Sequence, residues 1–222
     1  MNRLYSIIIL CILLLPITVF FNSCKKDKSS IIINGSVYDP NIKIYIADAS
    51  VTISTSKVSS GFYNSNYSDI ASTTTDANGN FTFKFDKELS NGYRIFISKN
   101  KYFDLTVDIS GNDFQAGNTY TPVYEIFPVG YLKLHVKNNT PFDDNDFIAY
   151  SYTFGFLSCY ECCSNIVNKA YGENYDVTTK CKTYGSQNVV IGWHVTKHGN
   201  DIAYNDTVFC SPFDTTYYEI LY

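Results

Sequence analysis

Thr73-Thr74-Thr75-Asp76-Ala77-Asn78-Gly79-Asn80-Phe81-Thr82-Phe83-Lys84-Phe85 is the stretch that decides the fold. Its centre holds four turn formers, and Asn-Gly tolerates the positive φ of a tight hairpin. Phe81, Phe83 and Phe85 recur every second residue, which places all three rings on one face of a strand. The same period extends outward through Ile42, Ile44 and Ile46, then Ala49, Val51 and Ile53. It continues in Tyr93, Ile95 and Ile97, and in Leu105, Val107 and Ile109. Ser90-Asn91-Gly92 and Ser110-Gly111-Asn112-Asp113 read as further turns. Helical periodicity is almost absent, and short alternating strands separated by turns predict a β-sandwich. The 20 Tyr and 16 Phe suit pleated, half-buried surfaces.

A second block begins near Pro128. Leu132, Leu134 and Val136 alternate, 141–146 is a polar turn, and 147–157 is strongly apolar. The runs 188–197, 202–210 and 215–222 follow, with a turn at His198-Gly199-Asn200. All three histidines, Trp193 and five cysteines fall in this block. Such asymmetry predicts two separately built units, so the expected class is all-β: two β-sandwich domains in tandem, the second antiparallel.

The first 24 residues have a different character. Arg3 supplies a positive start, 7–21 is apolar apart from Thr18, and small Ser23 precedes Cys24. These zones describe a secretion signal, and the apolar run is short of the roughly 20 residues a membrane span needs. The segment resembles bacterial lipoprotein signals, and Ser-Cys-Lys-Lys-Asp is similar to junctions of Bacteroidota lipoproteins. Phe21 and Asn22 depart from the usual residues before the lipid-bearing cysteine. The resemblance implies cleavage after residue 23, acylation of Cys24, a tether over 24–30, and residence in the cell envelope, at the outer membrane. Cleavage leaves 16 basic against 21 acidic side chains. An acidic body argues against nucleic acid, which requires clustered Lys and Arg.

Ile33-Asn34-Gly35-Ser36-Val37-Tyr38-Asp39, Ala49-Ser50-Val51-Thr52-Ile53, the hairpin quoted above, Tyr93-Arg94-Ile95 and Lys101-Tyr102-Phe103 together resemble the carboxypeptidase regulatory-like domain. The resemblance covers about residues 31–127 and implies a transthyretin-type, Ig-like sandwich of seven strands. In bacterial surface proteins it implies a spacer or interaction unit without the zinc site of the peptidase. Residues 54–68 depart from the compact pattern. They read either as a binding loop bearing Phe62, Tyr63 and Tyr67 or as an ordinary long hairpin. Residues 128–222 resemble no family.

Cys159, Cys162, Cys163, Cys181 and Cys210 belong, outside the cytoplasm, to disulfide chemistry. Five thiols allow two bridges and leave one over. Cys162 and Cys163 point to opposite faces of an extended chain, and the favoured arrangement ties their cluster to Cys181 and Cys210. Cys159-Tyr160-Glu161-Cys162 has zinc-ligand spacing, but no second close pair completes it. His194 and His198 would stand about 13 Å apart on a strand, too far to share a metal. Asp143-Asp144-Asn145-Asp146 lacks the spacing of a calcium loop. No nucleophile elbow or phosphate-binding loop appears.

The sequence therefore predicts no catalytic residue, no metal and no cofactor. It points to a membrane-anchored, non-enzymatic binding or scaffold component of the envelope. Its partner is a glycan, a peptide or another envelope protein, met by aromatics such as Trp193. An envelope enzyme with its site in 128–222, or a structural assembly subunit, are the alternatives.

Overall fold

A computed structural model describes residues 30–59, 62–63, 66–154 and 162–222, with the side chains of 57–59, 62–63 and 153–154 left out. Cys24 and Cys159 lie outside the described residues, as do the side chains of Phe62 and Tyr63. Among those described every regular element is a strand. No helix there is long and apolar enough to cross a membrane.

The strands of the first half are β1 (Ser30–Asp39), β2 (Ile44–Tyr45), β3 (Ser50–Ser59), β4 (Phe62–Tyr63), β5 (Ser68–Thr74), β6 (Asn80–Asp86), β7 (Ser90–Ser98), β8 (Leu105–Ser110), β9 (Thr119–Tyr120) and β10 (Val123–Glu125). One sheet gathers β2, β6, β9 and β10 around β1; the other runs β4-β3-β7-β8 with β5 on β3. Alternate residues of both sheets meet inside, and Ile31, Ile33, Val51, Ile53, Tyr93, Ile95 and Ile97 are fully buried. The Asp76–Gly79 turn forms as its residues dictate. Asp76 Oδ1 accepts the amides of Asn78 and Asn80 at 2.8 Å, and Gly79 takes φ 75°. A Cβ on Gly79 would sit 2.8 Å from Tyr45 Cβ.

Two expectations change here. Ile42–Ile46 is not a full strand, because Asp39 Oδ1 accepts the amides of Asn41 and Ile42 and bends the chain, leaving two residues to pair. Ser90-Asn91-Gly92 is strand rather than turn; Gly92 pairs with Ser56 and Ser110, and the Ser90 and Thr55 hydroxyls hold its carbonyl. Residues 54–59 continue β3, which hairpins onto β4.

The second half comprises β11 (Val129–Lys137), β12 (Phe147–Phe154), β13 (Asn168–Tyr171), β14 (Asp176–Tyr184), β15 (Gln187–Lys197), β16 (Asn200–Cys210) and β17 (Thr215–Leu221). Sheets β14-β11-β17 and β13-β12-β15-β16 face each other across a second core of Leu132, Leu134, Ile148, Val189, Ile191, Cys210 and Ile220. One pairing, β11 with β17, is parallel where an antiparallel sandwich was expected. β16 returns toward the first unit and the chain crosses to the opposite sheet, so β17 starts beside the start of β11.

Where the units meet, Tyr184 stacks on Phe103 (4.3 Å) and meets Phe127 edge-on (5.1 Å), and Tyr102 packs on Phe213. Asn41 Nδ2 donates to Gly185 O, and the Ser186 hydroxyl donates to Asn41 O. Gly185 approaches Pro212 so closely that a Cβ there would lie 2.4 Å from Pro212 Cα. β1 runs from Ser30 to this junction, about 33 Å at ~3.3 Å per residue. The second unit thus sits at the end of the first remote from Ser30.

Candidate functional site

β15 and β16 form one long hairpin, closed by His198 and Gly199 at φ 51° and 73°, the left-handed pair of a two-residue turn. Their registers place Trp193 opposite Tyr204 and Val195 opposite Ile202, on the face that continues the core. Near the junction this face is covered: Val208 and Cys210 are buried. Toward the turn the opposing sheet offers only the end of β17, and the face opens into a groove of about 420 Å³. Trp193, Ile202, Tyr204, Leu221, Tyr222 and Lys197 line it. The indole of Trp193 stacks on Tyr204 at 5.6 Å and 17°. Ile202 is 51% and Tyr204 44% exposed.

The groove has a rigid polar end. Lys197 Nζ donates to Asn138 Oδ1 (2.7 Å) and Thr140 O (2.6 Å) and lies 5.0 Å from the Tyr222 ring. Buried Asp146 is 3.6 Å away. Burial opposes ionisation of Asp146, but hydrogen bonds from Asn138 and the Phe142 amide, with the Lys197 ammonium, outweigh it and hold its carboxyl below the usual range. Burial pushes the Tyr222 phenol up to about 12. On the flank, the Tyr218 hydroxyl donates to Asp206; burial first, then that carboxylate, raises this phenol to about 12.

β16 is also an edge strand. Among the described residues it pairs only with β15, so one side of its backbone is open along Asn200–Val208. Edges exposed in this way are usually blunted by Lys, Pro or a bulge. Asn200–Cys210 has no Lys or Pro and its register with β15 runs unbroken; its charges are Asp201, beside His194 and Thr196, and Asp206, which accepts from the Tyr218 hydroxyl.

The other aromatic expectation fares differently. Tyr67 is half-buried, and one face of its ring is covered by the Arg94 guanidinium at 4.1 Å, itself fixed by Asp108. Asp143 and Asp146 satisfy the amides of their own turn. His194 faces away from the groove, beside Asp201. Among the described residues, no group of three His, Cys, Asp or Glu side chains is placed to hold a metal.

Cys163 and Cys181 form a disulfide with Cα atoms 4.9 Å apart. Cys162, which forms a β-bridge with Lys182, is disulfide-bonded as well. The connection between β12 and β13 is thereby stapled to the edge of β14. Cys210, expected to join the cluster, is free. It ends β16 with its side chain wholly inside the core, and burial lifts its thiol to about 11. Sequence reasoning also missed His135, whose Nδ1 meets Glu219 (2.6 Å) and Nε2 meets Asp176 (2.7 Å). Those carboxylates lie far off in the chain, and only the sheet register brings them together.

No protein-family model matches the sequence, and no curated protein is similar to it. Solved structures give distant likenesses. The Bacillus anthracis TIE protein is 12% identical with a TM-score of 0.34, over 86% of this chain and 34% of that one. The shaft pilin SpaA from Lactobacillus rhamnosus GG is 10% identical with a TM-score of 0.32, over 87% and 96%. A putative adhesin from Bacteroides ovatus is 8% identical with a TM-score of 0.35, over 87% and 92%. At TM-scores this low none of them carries weight for the site, which rests on the geometry above.

Proposed function

We propose that this chain is a non-enzymatic envelope lipoprotein, anchored through Cys24, that captures an extended segment of another envelope protein along β16. The first unit, resembling the carboxypeptidase regulatory-like domain, acts as the spacer. The second presents the groove. The observation that carries this reading is the open β16 edge, without Lys, Pro or bulge, beside an apolar, aromatic groove. An added strand would pair its backbone with β16 and lay alternate side chains against Trp193, Ile202 and Tyr204, the mode of strand addition. Position supports the reading: the chain leaves its tether at Ser30, and the groove lies at the far end of the second unit.

Two variants test it. Cys24→Ser should move the protein from the membrane fraction to the soluble fraction, and retention in membranes would refute the anchor. Wild-type detergent extracts, when sized, should show the chain in a larger complex, and Ile202→Lys/Tyr204→Lys should abolish that complex while keeping the melting temperature. A variant that still enters that complex, or a wild type that runs alone, would refute the groove.

A further inference from the structure

The outer face of the β14-β11-β17 sheet has a character opposite to the rest of this acidic chain, which carries a net charge of −4. Strand register places Lys133 between Lys180 and Tyr217, and Tyr131 between Lys182 and Thr215. Lys180 Nζ lies 4.4 Å over the Tyr131 ring, and Lys133 Nζ 5.9 Å from that of Tyr217. Like charges directly opposite on a sheet repel, yet Lys133 and Lys180 face each other. The nearby carboxylates have other partners: Asp176 is paired with His135 and Lys137, and Glu219 with His135 and the Tyr217 hydroxyl. Neither Lys133 nor Lys180 makes an ion pair among the described residues.

This face runs into a cleft of about 320 Å³ between the two units, lined by Lys101, Tyr102, Tyr131, Lys182 and Phe213 among others. Lys101 and Phe213 both adopt the left-handed region, at φ 67° and 66°, which L side chains of this size avoid. Val129 holds the two, its amide donating to Lys101 O (2.8 Å) and its carbonyl accepting from Phe213 N (2.6 Å). Strain that the surroundings enforce in this way gathers at ligand-binding positions.

We infer that this face and cleft bind an acidic polysaccharide, its carboxylates met by Lys133 and Lys180 and its sugar rings lying on Tyr131 and Tyr217. The chemistry favours a saccharide. The face is flat and tiled with lysines and ring faces, the surface a charged pyranose covers. A peptide strand would pair along the edges of this sheet, at β14 and β17, whereas the lysines and rings stand out from its face, where a saccharide lies. The acidic remainder of the molecule repels a polyanion, which confines binding to this face and makes it steeply salt-dependent. The site is separate from the β16 groove and stands or falls independently of it.

The test uses the full chain in mild detergent, with calorimetry against polygalacturonate, its methyl ester, and phosphatidylglycerol vesicles. Polygalacturonate should bind, with affinity falling about tenfold or more for the uncharged ester, as expected when charge pairs dominate. Lys133→Ala/Lys180→Ala should lose binding by a similar factor while melting no lower than wild type, because it removes a repulsion. Tyr217→Ala should weaken binding, and Tyr204→Ala in the groove should not. Absence of binding, binding unchanged in the double lysine variant, or vesicles bound as tightly as the polysaccharide would overturn the inference.

Discussion

The two sandwiches solve the same packing problem with different materials. The first closes its core with aromatics and isoleucines drawn from both sheets: Phe85, Tyr93 and Phe114 pack ring to ring, and five strands gather in each sheet. Its exposed apolar side chains, such as Leu89, Phe96 and Val123, are scattered. The second has sheets of three and four strands, and five exposed apolar residues, Ile202, Tyr204, Phe209, Tyr217 and Leu221, lie on β16 and β17. It also carries a disulfide, Cys163–Cys181, where residues 31–127 contain no cysteine. One unit is closed over its core; the other leaves a flank open beside β16.

Isoleucines at matched chemistry sharpen that contrast most. Ile53→Ala, at a fully buried site, should cost about 2–5 kcal/mol, whereas Ile202→Ala should stay within about 0.5 kcal/mol. Chemical denaturation of each variant checks the pair. Equal losses would mean that Ile202 is part of the core and that the groove is closed in solution.

The staple comes next. Cys163→Ala/Cys181→Ala should lower the stability of the second unit by roughly 3 kcal/mol, the value for a closed loop of this length. Calorimetry should show one of two transitions shifting while the other, from the cysteine-free first unit, holds. If both shift together, the aromatic junction makes the units one cooperative body. Gly185→Val probes that junction directly, since its side chain would collide with Pro212. It should uncouple the units without unfolding either.

How far the sequence revealed all this depends on where side chains meet. Alternation exposed β3, β6, β7, β8 and β11, because the inward face of each packs on a core and the period of two is written in apolar residues. It did not expose β14, whose Asp176–Lys180 half is exposed on both faces and reads as Thr and Lys. Nor did it expose β9 and β10, two and three residues long, which exist only because β1 offers an edge. Trp193 was legible as a lone indole; its partner Tyr204 was not, since their pairing depends on register across a hairpin. The bridge arrangement was similarly closed to spacing: the buried position of Cys210 at the end of β16 keeps it out of reach.

The smallest expected effect is a pH dependence confined to the second unit. Hydrogen bonds that the His135 ring donates to Asp176 and then Glu219 raise its pKa in the folded state. The stabilisation is therefore fully present below the ordinary histidine value of about 6.5 and is lost as pH rises through the raised folded value. Titration of the His135 ring by NMR locates that value. In His135→Gln the second-unit melting temperature should lose this slope, and an unchanged slope would assign it elsewhere.

The central claim is that the open flank of the second unit, and not the closed first unit, meets the partner. A photo-reactive residue placed in turn at Ile202 and at Val123, which are 51% and 56% exposed, tests it in living cells that make the chain. The account predicts a discrete adduct with one envelope protein from position 202 and none from position 123. Equal adducts from both positions, or an adduct from 123 alone, would contradict it.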